Sequence, residues 1–160
     1  NYTEYNKTDI NNINQINPSK EAAETADQIE RMNEVRRYMD TIRSNLEYDL
    51  YMQEPNWPDK ELFNELFEVI CETVCVKRAF VRIAGADYPY ELVKSQFLKL
   101  NSSHLLYVID CMHAATAKIS NIKAYMLTAL YNAPSTMNHY YQQEVQHDMH
   151  GGGWHEKGII

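Results

Sequence analysis

Apolar residues recur every three or four positions through much of this 160-residue chain, which is the spacing of one face of an α-helix. The first of these stripes comprises Ile29, Met32, Val35, Met39, Ile42, Leu46 and Leu50. The second comprises Leu62, Leu66, Phe67, Ile70 and Val74. The sequence holds only five glycines and five prolines, which favours helices over a turn-rich β architecture. The pattern therefore predicts an all-α fold.

Helical signals continue through the second half of the chain. Pro89 suits a first helical turn and opens the amphipathic segment "YELVKSQFLKL". Ser102 or Ser103 can cap the next helix by accepting hydrogen bonds from its free amides. The segment "NIKAYMLTAL" is short and nearly all apolar, which is typical of a helix at the centre of a bundle.

Pro134 predicts a break in this last region. Proline lacks an amide hydrogen and restricts the residue before it, so we expect the helix to end at Ala133. Ser135 or Thr136 can then cap a final helix, and residues 121–141 would form a helical hairpin in the core.

One segment departs from helical spacing. "KRAFVRIAGADYP" contains the alternating stretch "AFVRIA" and the turn-forming Gly85 and Pro89. We interpret it as an extended segment packed on helices, with a paired strand as the less favoured alternative. The prediction is a compact domain of about five to six helices with one short irregular or extended insert.

The two ends differ in composition from the middle. Residues 1–24 are rich in Asn, Thr and Tyr and bury too little apolar surface to offset the entropy of ordering, so they predict a polar flexible linker that follows another domain. Residues 25–149 form the predicted helical domain. Residues 150–160 include three consecutive glycines and predict a flexible tail.

Charge is distributed unevenly along the chain, whose net charge is −7. Residues 21–74 hold 5 Lys/Arg and 14 Asp/Glu, whereas residues 75–125 hold 7 Lys/Arg and 3 Asp/Glu. An acidic face and a basic face on one small domain can steer partners or promote head-to-tail self-contact.

The sequence offers no constellation typical of an enzyme. It contains no GxSxG, P-loop, GxGxxG or HExxH motif, and no acidic residue lies in an apolar context that would tune its pKa. We therefore predict no catalytic residues and no cofactor. His147 and His150 could share a metal-binding face with Asp148, but the favoured interpretation is a polar helix end without a metal.

Cysteine usage and hydropathy bear on location. Cys71 and Cys75 lie four residues apart on one predicted helix, and with Cys111 they favour buried thiols in a reducing cytoplasm over a disulfide. No apolar run approaches the roughly 18–20 residues of a membrane span. We expect a cytoplasmic protein with no membrane association.

Four tyrosines could stack on unpaired nucleic-acid bases: Tyr125, Tyr131, Tyr140 and Tyr141. Lys118 and Lys123 could attract the phosphates, although so few contacts would give weak, salt-sensitive binding. The favoured alternative places Tyr125 and Tyr141 on the core stripe, with their hydroxyls hydrogen-bonded at its rim.

The stretches "RIAG", "VKSQFLKLNSSHLLYVIDCM" and "NIKAYMLTALYNAP" are more distinctive than any short catalytic motif. Together with "RSNLEYDLYMQ" and "ELFEVICETVCVKRAFVRIAG", they strongly resemble the C-terminal domain of replication initiator A (RepA-type) proteins. Plasmids and integrative elements of Gram-positive bacteria encode these initiators. The resemblance covers nearly all of residues 30–150.

This resemblance implies a DnaD-like helical domain that couples an initiator to host replication proteins. Such initiators bind the origin mainly through an N-terminal winged-helix domain, which this sequence lacks. The likeness to DnaD itself is looser: Tyr125 matches its motif, but Ala129 and Ala133 stand where that family has Ile and Trp. The difference argues against DnaD-like single-strand binding through that motif and leaves the helical architecture unchanged.

The sequence therefore leads to a functional expectation. We expect a non-enzymatic interaction module that docks primase, helicase or helicase loader, or another copy of itself, during replication initiation. The alternative is a module that binds single-stranded DNA at the melted origin. The residues expected to bind the partner are Lys94, Lys99, Lys118, Lys123 and Tyr131.

Overall fold

A computed structural model describes residues 18–150. These residues form, in order, α1 (Pro18–Asn45), α2 (Tyr48–Gln53), α3 (Lys60–Cys75), β1 (Phe80–Ile83), β2 (Ala86–Pro89), α4 (Tyr90–Phe97), α5 (Ser102–Ala114) and α6 (Ile122–His150). The predicted helical fold with one short insert is confirmed. None of the described helices is both long and apolar enough to cross a membrane. The chain divides into two compact units, residues 1–36 and 37–160.

The first unit contains the start of α1. This helix begins at Pro18, a residue suited to a first helical turn, so residues 18–24 are helical although the sequence analysis assigned them to the linker. Ile29 and Met32 are exposed, so the stripe predicted to be buried is not buried at these two positions. The remaining residues of the predicted linker, 1–17, and the predicted tail beyond residue 150 lie outside the described residues.

The second unit has its core around α3, which contacts α2, α4, α5 and α6. The predicted stripe on α3 is confirmed, because Leu66, Ile70 and Val74 are fully buried. Core side chains from the other helices are Ile42, Leu46, Val93, Phe97, Leu105, Val108, Ile109, Met126 and Leu130.

The first stripe does not continue into α2. Glu47 adopts a left-handed backbone conformation with φ 52°, which separates α1 from α2 and changes the direction in which later side chains point. Leu50 is consequently exposed, contrary to the prediction.

The insert is a β-hairpin, so the prediction of an unpaired extended segment was wrong. β1 pairs antiparallel with β2, with Phe80 opposite Pro89 and Ile83 opposite Ala86. The connecting residues Ala84 and Gly85 have φ values of 51° and 81°, the positive values required by a tight two-residue hairpin turn. Alanine seldom adopts this conformation, so the Ala84–Gly85 pair is only a weak hairpin signal.

Alternation along β1 determines which side chains reach solvent. Val81 and Ile83 are buried, whereas Phe80 and Arg82 lie on the outer face. The hairpin therefore presents one aromatic and one cationic side chain on the same surface.

Pro134 lies inside α6, so the predicted break and the helical hairpin were wrong. Proline removes one hydrogen bond to the carbonyl of Leu130, but packing supports the helix on both sides of it. Ala133 is fully buried before the proline, and the ring of Tyr140 lies 5.9 Å from that of Tyr107 after it. Thr136 caps no helix; its hydroxyl donates to the carbonyl of Asn132 at 2.9 Å.

The cap of α5 is Asn101, so neither Ser102 nor Ser103 has the predicted role. Asn101 Oδ1 accepts from the His104 amide at 3.2 Å, while the Asn101 amide donates to His104 Nδ1 at 3.0 Å. Ser102 donates instead to Glu47 at 3.1 Å. Pro89 is the last residue of β2 and the cap of α4, so it lies just before the first helical turn in which it was predicted.

Candidate interaction surfaces

Lys94, predicted to contact the partner, is held inside the domain. Its Nζ lies 3.0 Å from a carboxylate oxygen of Glu91 and 3.3 Å from the Tyr38 hydroxyl. The same ammonium lies 5.2 Å from the ring centroid of Tyr38 and 5.5 Å from that of Tyr90. The hydrogen bond to Glu91 raises the pKa of Lys94. These contacts give Lys94 a packing role.

The other four predicted residues lie on different elements. Lys123, near the start of α6, contacts both carboxylate oxygens of Glu72, at 2.7 and 2.9 Å. Lys99 and Lys118 are exposed outside the helices. Tyr131 is half-buried, with its ring 5.0 Å from that of Tyr88. None of these contacts joins one of the five predicted residues to another.

One exposed surface combines tyrosines with carboxylates. We call it the aromatic face and define it as Tyr107 and Asp110 on α5 with Tyr140, Tyr141 and Glu144 on α6. The rings of Tyr107 and Tyr140 lie 5.9 Å apart, and those of Tyr140 and Tyr141 lie 5.7 Å apart. Tyr140 and Tyr141 are 46% and 52% exposed. The prediction of a core position for Tyr141 was therefore wrong, whereas Tyr125 is half-buried.

The electrostatic character of the aromatic face is anionic. Residues 124–156 and residues 100–117 contain no lysine or arginine. Hydrogen bonding to Glu144 raises the pKa of Tyr140, and burial raises that of Tyr107 to about 12, so both phenols remain neutral near pH 7. A surface of neutral phenols beside carboxylates suits a cationic partner, and it disfavours phosphates.

A second exposed surface has the opposite charge. We call it the basic edge and define it as Val76, Lys77, Arg78, Phe80 and Arg82, which connect α3 to the hairpin and line its outer face. Phe80 is 58% exposed and Val76 is 49% exposed. Arg82 lies 3.1 Å from Asp87 yet leaves most of its side chain in solvent.

Two of the five predicted residues are linked to the basic edge through one intermediate: Tyr131 through Tyr88, which pairs with Val81, and Lys123 through Glu72. Glu72 accepts a hydrogen bond from the Val76 amide, which ends α3. Sequence reasoning did not assign a role to Arg78, Phe80 or Arg82. The signal was present in "VKRAFVR", where cations are interleaved with an aromatic residue in an alternating segment.

Within residues 18–150 the structure offers neither a cluster of metal ligands nor a reactive thiol at Cys71. No group of three or more His, Cys, Asp or Glu side chains there is arranged to hold a metal ion. His147 Nδ1 lies 4.0 Å from an oxygen of Asp148, and both side chains are exposed. Cys71 is buried as predicted, whereas Cys75 and Cys111 are only half-buried. Burial raises the pKa of Cys71 to about 12, which suppresses the reactive thiolate.

Comparison with known proteins identifies a family. No curated protein and no solved structure matches the chain significantly. A protein-family model described as a family of unknown function (DUF6017) matches residues 5–152, which is most of the sequence. The chain therefore belongs to the DUF6017 family.

Proposed function

We propose that this chain is a non-enzymatic, cytoplasmic interaction module of a replication initiator from a plasmid or other mobile element. It docks host replication proteins such as primase, helicase or helicase loader, another copy of itself, or both. The observation that carries the proposal is the presence of exposed aromatic side chains beside charged groups on a domain whose core is already filled. The likeness of "VKSQFLKLNSSHLLYVIDCM" to RepA-type initiators supports the replication context.

The exposed residues are of the types that dominate protein interfaces. Tyrosine and arginine are enriched among residues that supply most binding energy, and exposed apolar clusters mark interaction sites. Phe80 and Tyr141 are each more than half exposed, although large side chains such as Phe63 and Phe97 are fully buried in the same domain. The core is thus complete without Phe80 and Tyr141, which leaves both rings available to a partner.

The proposal is tested by capture from a lysate of a Gram-positive bacterium treated with nuclease. The expected result is recovery of a replication protein by the wild-type chain and a fall of about tenfold or more for Phe80→Ala or Tyr141→Ala. Leu92→Ala is the matched control, because Leu92 is an exposed apolar residue outside both surfaces. The proposal is contradicted if the wild-type chain recovers no replication protein. It is also contradicted if Leu92→Ala lowers the recovery as much as Phe80→Ala or Tyr141→Ala does.

Single-stranded DNA binding is the second candidate, favoured by Phe80 between two arginines on the basic edge. An exposed ring can stack on a base while neighbouring guanidinium groups contact phosphates. Titration with a labelled oligonucleotide tests this function. If the chain binds single-stranded DNA, its affinity for the oligonucleotide should fall steeply with salt and be lost in Arg78→Glu. If the chain docks proteins instead, its affinity for the oligonucleotide should be negligible.

A further inference from the structure

We propose that the aromatic face of one copy binds the basic edge of a second copy, giving a head-to-tail contact between identical chains. The inference rests on the proposed function as an interaction module and identifies one of its partners. Both surfaces lie within the second compact unit, residues 37–160.

Complementary charge is the first argument for this pairing. Asp110 and Glu144 flank the tyrosines of the aromatic face, and neither α5 nor residues 124–150 of α6 contribute a lysine or arginine. The basic edge supplies Lys77, Arg78 and Arg82 within six positions of the sequence. Opposite potentials of this kind favour encounter and determine orientation.

Complementary side-chain chemistry is the second argument. The basic edge places Phe80 between cations, and the aromatic face offers exposed phenol rings beside carboxylates. An arginine can therefore lie over a tyrosine ring while pairing with a neighbouring carboxylate. Val76 and Phe80 add apolar surface that would be covered by Tyr141 and by Val145, which is also exposed on α6.

The positions of the two surfaces determine the type of assembly. The hairpin contacts α6 through Tyr88 and Tyr131, and the helical rise places Tyr131 about 13 Å from Tyr140 of the aromatic face. Each copy presents both surfaces, so the pairing joins unlike surfaces of two copies. They form a heterologous contact, which continues from copy to copy or closes into a ring.

Two variants separate the surfaces experimentally. Tyr141→Ala with Glu144→Lys disables the aromatic face, and Arg78→Glu with Phe80→Ala disables the basic edge. All four positions are exposed, so the fold should tolerate both variants, and circular dichroism checks this. Glu65→Lys and Arg37→Glu are matched controls with the same charge reversals at exposed positions elsewhere.

Analytical ultracentrifugation of the chain over a wide range of concentration is the measurement. The wild type and both controls are expected to associate further as concentration rises, whereas each double variant alone should associate at least about tenfold more weakly. An equimolar mixture of the two double variants should give a complex of one chain of each. Each partner then still supplies one intact surface.

Three results would overturn the inference. One is a wild-type chain that stays monomeric at all concentrations, and another is either double variant associating like the wild type. The third is a mixture of the double variants that forms no complex. The sedimentation experiment contains only this chain. A negative result therefore rejects self-association and says nothing about docking to host replication proteins, which the capture experiment tests. Conversely, loss of host-protein capture does not alter the sedimentation result.

Discussion

At the scale of single residues, long-range partners decide which charged and aromatic groups remain available. The sequence pattern predicted Lys94 and Lys123 to be free surface cations, yet in the fold Lys94 contacts the distant Tyr38 hydroxyl and Lys123 contacts the carboxylate of Glu72. Glu72 lies 51 positions from Lys123, so no local pattern could reveal the pair. Arg78 and Phe80, by contrast, remain exposed because the hairpin turns them away from the core.

The capping box of α5 makes a prediction about pH. Burial lowers the pKa of His104 below its usual 6.5, so its neutral Nδ1 accepts from the Asn101 amide. As pH falls below 6.5, the unfolded chain gains this proton more readily than the folded chain, and stability is lost. His104→Gln retains a capping side chain without titrating, so it should lose less stability on acidification.

Urea denaturation at several pH values measures this difference. We expect the stability of the wild type, relative to that of His104→Gln, to be highest at neutral pH and to decline on acidification. Parallel pH profiles for the two proteins would contradict the assigned role of the imidazole.

At the scale of elements, the sequence indicated which segments are regular but not where the long ones end. The stripe of α3 was predictable because most of its apolar residues meet the same core. α6 extends through Pro134 because its second half packs against α5. This packing involves residues far away in sequence, so the local pattern around Pro134 could not predict it. The hairpin was missed because its turn uses Ala84 in place of a typical glycine or asparagine.

Replacement of Pro134 tests the continuity of α6. Alanine restores the missing backbone hydrogen bond and has a higher helix propensity, so Pro134→Ala should stabilise the domain by about 1 kcal/mol or more. Thermal unfolding checks this, with Ser135→Ala as a neighbouring exposed control. Destabilisation by Pro134→Ala would indicate a turn at this position.

Replacement of Ala84 tests the hairpin turn. Ala84 has φ 51°, a conformation that costs a side chain about 1 kcal/mol but costs glycine little. Ala84→Gly should therefore raise the free energy of unfolding by a few tenths to about 1 kcal/mol. The equivalent change at the exposed helical position Ser95 should lower it, since glycine is unfavourable within a helix. A loss of stability in Ala84→Gly would contradict the turn geometry.

At the scale of the whole molecule, amphipathic spacing predicted the fold class but not the candidate surfaces. Spacing identifies apolar positions without saying which of them another element covers, and so Tyr141 and Leu50 were wrongly expected to be buried. The sequence did reveal that acidic and basic residues concentrate in different parts of the chain. In the fold, the aromatic face lies on α5 and α6, whereas the basic edge lies on β1 and on the segment that precedes it.

The central claim is that this chain acts by binding replication proteins through exposed aromatic and charged residues. Its most direct test is equilibrium titration of the purified chain with primase, helicase and helicase loader of its host, in the presence of nuclease. We predict saturable binding to at least one of them that Arg78→Glu with Phe80→Ala, or Tyr141→Ala with Glu144→Lys, weakens at least about tenfold. Absence of binding to all three proteins, or affinities unchanged in both variants, would contradict the account.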